Sequence, residues 1–494
     1  MSFIDCTSGH MTPSESLSQY NPSHPLFQFT VSGIPEFSKH RPQTHSLRTT
    51  CADPDSLFAT APETLIHLLY KEFRDDINRL RRAYSLRAAN NDSPEEPPGT
   101  PSPSFILFQE PHDEVNRTFT SILALRWIHL NHYEAFVASQ PRETRLARES
   151  FNWLRAFYNS AILTTGDSSP AEALYALIVS IITNDLGKDP HLATEYHSLT
   201  GTDISALNHD AILHRACAVP GLIPSSLGSL LEPYKSDLLA GIALGATFNF
   251  GQLAQAENSP VSLTALRADE LQGSNNALRA LQLRFLEQMV DLAGAAGHID
   301  WSCARKLTQP LFESYRDVYE ACEGVIRGSL GVCGAYDLVL VRRAERLHAQ
   351  GLRLLAVERE KEDRGLARLL CMGNVTTVER ARLFLGVWGG LDSGVRAGLV
   401  DALNVAGCRG APAVQMTYMP ALLSRIRDER ALGCALSFLC RGMVVEDGVD
   451  TDAVLIERSV LGVLKRYVES GKFDEDPTLL QRVDVPEGVV AQRA

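Results

Sequence analysis

The sequence has no GxxxxGKS/T phosphate loop, no GxGxxG turn following a strand, no GxSxG elbow and no HExxH helix. Those absences disfavour P-loop nucleotide hydrolysis, hydride transfer on a dinucleotide-binding domain, ordinary esterase chemistry and zincin-type proteolysis. No apolar run approaches the roughly 18 residues needed to span a bilayer, and no basic segment followed by an apolar one opens the chain. Aromatic residues are few, at 7%. There is no basic excess either: the net charge is −12, so any contact with nucleic acid must use a local patch. The ten cysteines never form a CxxC pair and mostly sit among apolar residues. That pattern suits reduced thiols in a reducing compartment and leads us to expect a cytoplasmic protein without a membrane partner.

What is present is helix after helix. Ala and Leu are abundant and apolar residues recur every three to four positions. Residues 1–55, rich in Ser, Pro and Thr, read as a partly disordered arm. Residues 56–89 contain an amphipathic helix over 63–87, and 90–104 form a Pro/Ser linker. The region 105–328 is expected to be a helical domain carrying the site, 329–471 a further helical region and 472–494 a flexible tail. Helices are expected over 113–138, 142–163, 170–184, 235–258, 276–296, 300–327, 332–355, 357–371, 377–388, 392–405, 418–441 and 450–470. The interval 189–234 reads as ordered but irregular. The fold class is all-α: one large multi-helix domain or two packed helical subdomains.

Four constellations could carry chemistry. In the first, an apolar run from Leu174 ends abruptly in Asn184, Asp185, Gly187, Lys188 and Asp189, with Gly187 and Pro190 stopping the helix. Its echo is Asn208–His214, with His209 and Asp210. These residue types suit metal binding or acid–base work. They also suit plain capping, with Lys188 paired to a carboxylate. The xDxGK order looks like the helix end of HD-domain metal phosphohydrolases, but Asn184 stands where those enzymes carry histidine, and an amide is a poor transition-metal ligand. No metal is therefore assigned.

The second constellation is Leu244–Asn258, where Asn249, Gln252 and Gln255 repeat at three-residue steps and Glu257 follows. Amides offer a neutral donor and acceptor together. The third is His298 and Asp300 after a Gly/Ala turn, with Asp300 placed to cap the next helix. The fourth is basic: Arg79, Arg81, Arg82 and Arg87 on one helix, and Arg342, Arg343, Arg346 and Arg353 on another. Arginines spaced in this way can follow phosphates or form a solvated face.

The segments NDLGKDP, NHD, LGATFNFGQLAQAEN, AGAAGHIDW, YDLVLVRRAE and TYMPALL together resemble a fungal family of helical proteins that includes the arginine-containing cyclodipeptide synthases. The resemblance covers about 105–440. The nearest strings to an acidic DDxxE signature of those enzymes are Asp75–Arg79 (DDINR) and Asp113–Arg117 (DEVNR). The resemblance implies that two aminoacyl-tRNAs, one charged with arginine, are joined by two peptide bonds into a diketopiperazine. The esters are already activated, so no cofactor is implied. In that reading His209, His298 and Asp185 are the catalytic candidates. Asn184, Lys188, Asp210, Asn249, Gln252, Gln255 and Glu257 hold substrate, and Arg79, Arg81, Arg82 and Arg87 meet tRNA. No stable protein partner is implied. An HD-like phosphohydrolase and a non-catalytic helical scaffold are the alternatives.

Overall fold

The computed structural model describes residues 46–83, 101–164, 169–223, 225–267, 277–445 and 453–492. The architecture is all-α with one small sheet. Apolar side chains from Leu47 to Leu480 join one contiguous core. Among the described residues no helix is long and apolar enough to cross a membrane.

The expected 63–87 helix is two, α1 (Pro62–Glu72) and α2 (Arg74–Arg82), because Phe73 leaves helical geometry at φ −109°, ψ 34°. Its side chain is buried at the joint. At the centre lies α3 (Asp113–His129), buried nearly all round, including Glu114, Asn116 and Arg117. Polar residues inside such a helix must find partners within the protein. Packed against it are α4 (Pro170–Thr183) and α9 (Ala277–Gly294); α7 (Tyr234–Thr247) packs in turn on both of these, and α6 (His209–Cys217) packs on α7.

The interval expected to be irregular, 189–234, is largely helical: α5 (Pro190–Thr200) and α6 lie within it. Pro190 begins α5 at its first turn, where a missing N–H is harmless, and Asp189 caps it by accepting from His191 N–H at 3.0 Å. Asn208 caps α6 through Ala211 N–H at 2.9 Å. The expected 235–258 helix breaks at Phe248, which is extended, and resumes as α8 (Phe250–Ala254). The expected start of the next helix at 300 is also displaced. Asp300 accepts from Ser302 in a local turn, at 3.0 Å from its N–H, and α10 begins only at Gln309 (Gln309–Ile326).

Further on come α11 (Val332–Ala349), α12 (Lys361–Met372) and α13 (Glu429–Gly442). The sheet is the main departure from expectation. Strand β1 (Ala413–Thr417) pairs in parallel with β2 (Ala453–Ser459), which pairs antiparallel with β3 (Val489–Gln492). Thus the beginning of the expected 450–470 helix is a strand, and the expected tail 472–494 supplies another, with Leu480 buried. The run AVLIERS is β-branched enough for either state, and pairing with the buried strand AVQMT decides it.

Candidate functional site

Asn184 and Asp185 end α4, and Leu186–Lys188 forms one tight turn that carries the chain directly against the start of α6. Every polar side chain in this junction is buried. Lys188 Nζ lies 3.0 Å from Glu114 Oε2 and 2.9 Å from Asp185 Oδ2. Glu114 uses its other oxygen for Arg117 at 2.7 Å, one turn along α3. His209 Nε2 is 3.8 Å from both Asp185 Oδ1 and Asp210 Oδ2. On the far side Arg284 of α9 donates to Asn184 Oδ1 at 2.9 Å, to Glu287 at 2.6 Å, and lies 3.6 Å from Asp210 Oδ1.

These distances form one chain of alternating acidic and basic side chains, from Arg117 through Glu114, Lys188, Asp185, His209 and Asp210 to Arg284. Burial would raise the Asp185 carboxyl, but Lys188 and Arg117 pull it well below the usual carboxylate range, so it is ionised. Burial lowers the pKa of His209 against the pull of Asp210 and Asp185, which favours the neutral ring. Burial pushes Glu287 up to about 7, reinforced by Asp291 and opposed by Arg284. The protein's own ammonium bridges Glu114 and Asp185, as a cation in a carboxylate cradle must. Among the described residues no group of three His, Cys, Asp or Glu side chains is arranged to hold a metal.

Next to this network is a cavity of about 150 Å³. One wall is helical, with Asp210 from α6, Gly245 to Asn249 from the end of α7, and Gln252 from α8; the other comes from the sheet, with Gln415 and Glu457. Asn258 also lines it. Gly245 is required here. A β-carbon on it would lie 2.6 Å from Arg284 Nη2 and 3.0 Å from Cζ, and that guanidinium is held by its partners and cannot swing away.

The cavity thus joins the first two sequence constellations through Asp210, Asn249 and Gln252, while Asn184, Asp185, Lys188 and His209 stand behind its wall. The three amides do not form one helical stripe. Asn249 caps α8 by accepting from Gln252 N–H at 3.1 Å, and Gln255 turns back to Gly251 O at 3.3 Å outside the cavity. Glu257 is buried, accepts from Tyr418 N–H, and is pushed up to about 8 by burial. His298 is half-buried in the turn after α9, beside Gly297, whose backbone abuts Asn116 and Thr120 of α3; it does not line the cavity.

The basic helix is arranged differently from a phosphate track. Arg79 and Arg82 converge on Asp189 at 3.1 and 2.6 Å, and Arg79 also meets Glu195 at 2.6 Å. Arg81 lies over the Phe108 ring at 4.2 Å, and Arg87 falls outside the described residues. In the second basic set Arg343 is buried against Val375 O, Arg346 pairs with Asp317, and Arg353 pairs with Asp363 at 2.6 Å. Arg342 is a surface residue beside Glu345 and Glu320.

Sequence reasoning missed Arg284, Glu287, Gln288 and Asp291. Their spacing along α9 puts them on one face, the usual mark of a solvated stripe. The contrary signal is that α9 is apolar on its other sides as well, which marks a helix buried all round. It also missed Arg368 of α12, which is 1% exposed and donates to the carbonyls of Ala256, Asn258 and Leu403 at 3.2, 2.9 and 2.9 Å. Tyr336 adds hydroxyl bonds to the same Ala256 and Asn258 carbonyls. Together they fix the loop after α8 that carries Glu257 and Asn258. Nothing in the local sequence of α12 indicates that role.

A family of unknown function (DUF6829) matches residues 66–480, and the chain belongs to that family. No curated protein and no solved structure matches it.

Proposed function

We propose that the chain is an enzyme that joins activated aminoacyl groups, an aminoacyl-tRNA-dependent cyclodipeptide synthase producing an arginine-containing diketopiperazine. The observation that carries this reading is the convergence of Asp210, Asn249 and Gln252 on one cavity, with the buried His209 directly behind Asp210. The sequence resemblance supplies the reaction class.

In each of the two steps an α-amine attacks an ester carbonyl. A C–N bond forms, the C–O bond to the tRNA ribose breaks, and the amine proton passes to a base while the ribose oxygen leaves. Asp210 is the carboxylate on the helical wall of the cavity and acts as the base. Arg284 and His209 flank its two oxygens at 3.6 and 3.8 Å, so they position it. The amides of Asn249 and Gln252 are neutral donors and acceptors suited to the ester carbonyl and the new peptide. Arg81 and Arg82 are exposed on α2, and they remain the candidates for a local contact with tRNA.

The HD-like phosphohydrolase reading has less behind it. Asn184 binds Arg284, and Lys188 occupies the carboxylate pair that a metal would need. The test of the proposal is expression in a bacterium followed by metabolite profiling. A cyclo-Arg-Xaa product whose formation in lysate is abolished by ribonuclease is the expected result. Absence of such a product, both there and with purified protein and charged tRNAs, would refute it.

A further inference from the structure

The cavity wall contributed by the sheet has a chemistry of its own. Gln415 on β1 and Glu457 on β2 are register neighbours. Gln415 is only 4% exposed and lines the cavity. Asn258 is 1% exposed, lines the same cavity, and its Oδ1 has no hydrogen-bond partner. Buried amides without partners are costly and rare. An unpartnered amide oxygen on Asn258, facing one cavity with the Gln415 amide, indicates that a ligand completes this wall.

Glu457 stands at the mouth of the cavity and is exposed. Thr417 Oγ1 donates to its Oε1 at 2.7 Å and fixes its direction. Among the described residues no cation pairs with it, and its neighbour Glu257 is another carboxyl. None of the cavity's lining residues is Lys, Arg or His. A ligand that meets this wall is therefore best positive and rich in N–H donors. It has to offer hydrogens to the Asn258 oxygen, an amide oxygen of Gln415 and a carboxylate at once. A planar guanidinium-type group does this, and a lone ammonium does it less well.

We infer that Glu457, with Gln415 and Asn258, forms the subsite that selects a guanidinium-bearing substrate side chain, resting on the reading of this cavity as the acyl-joining site. The helical wall then handles the reacting ester and the sheet wall recognises the side chain. Strands β1 and β2, which interrupt an otherwise helical chain, thereby gain a function.

The test compares L-arginine methyl ester with L-citrulline methyl ester, in which a neutral urea replaces the guanidinium. Both probes carry the same α-amine and ester. Affinity of the full-length protein for each is measured by calorimetry, for the wild type and for Glu457→Gln. The wild type is expected to prefer the arginine ester by about tenfold or more, as a charge-assisted contact implies. Glu457→Gln should bring the two affinities within about twofold, while circular dichroism stays unchanged at this exposed position. If Glu457→Gln keeps the full preference, the assignment is overturned and the cavity reading survives. If the wild type binds neither ester, the cavity reading fails and the assignment goes with it.

Discussion

Gly187 and His209 are in backbone contact: a β-carbon placed on Gly187 would lie 2.7 Å from the His209 carbonyl carbon and closer still to its oxygen. That approach seats the start of α6 on the turn after α4, and so brings His209 and Asp210 to Asp185. Gly187→Ala must push two main-chain segments apart, because no side chain is there to yield. The expected loss is about 3 kcal/mol, at the upper end of ordinary overpacking. Denaturant titration with an unchanged midpoint would show that the contact is not tight.

Lys188 neutralises two buried carboxylates at 3.0 and 2.9 Å. Lys188→Met takes away the ammonium that Glu114 and Asp185 share and leaves Arg117 to serve both. Removing one partner of a buried pair typically costs about 3–5 kcal/mol. Adding Asp185→Asn to Lys188→Met should recover part of that loss, because the uncompensated charge goes with it. A double-mutant cycle measures the recovery; strict additivity would argue against the pairing.

The Glu257 carboxyl is raised from 4.5 to about 8 by burial. Between those values the folded protein holds a proton there that the unfolded chain has released. Stability from this group is therefore fully present below about pH 4.5 and declines as pH rises through 8, with a slope of up to about 1.4 kcal/mol per pH unit. Glu257→Gln keeps the shape and the acceptor for Tyr418 N–H while removing the titration. Unfolding free energy measured from pH 5 to 8 should fall less steeply in the variant than in the wild type. Equal slopes would mean that Glu257 does not titrate in this range.

Asp210 is the carboxylate that both lines the cavity and contacts the buried network. Asp210→Asn is expected to lower kcat for diketopiperazine formation by about 10²–10⁴-fold, the usual worth of a general base. His209→Gln, acting through Asp210, should shift the pH profile of the reaction and reduce kcat less. If the aspartate variant turns over normally, the base lies elsewhere.

Arg368 holds the loop after α8 by donating to the Ala256, Asn258 and Leu403 carbonyls, without a carboxylate. Arg368→Lys keeps the charge but cannot reach all three acceptors in a planar fork. A loss of about 1.5–3 kcal/mol follows from the lost charge-assisted bonds, since Tyr336 still donates to the Ala256 and Asn258 carbonyls. The same variant should weaken binding of arginine methyl ester, because Asn258 lies on that loop. A stable variant with unchanged affinity would remove Arg368 from the architecture of the site.

Helical periodicity, caps and the punctuation of Gly and Pro are local properties, and they made the all-α class, the long central helices and the candidate polar turn at 184–190 legible from sequence. They also isolated His209, Asp210, Asn249 and Gln252 as unusual, and three of these four line the cavity. What periodicity could not decide was direction in space. The stripe from Arg284 to Asp291 has the same pattern whether it faces water or a buried network, and only the packing of α9 against α3 and α7 settles which. Arg79 and Arg82 looked like a free basic track because Asp189, their partner, is more than a hundred residues away in sequence. Gly187 reads locally as a helix stop, yet its consequence is the approach of a distant backbone. The sheet had the weakest local signal: AVLIERS becomes a strand only because AVQMT and the chain's end lie beside it. Its pairing is long-range, and so is the second wall of the cavity, with Gln415 and Glu457, which no local pattern in the sequence could have brought together.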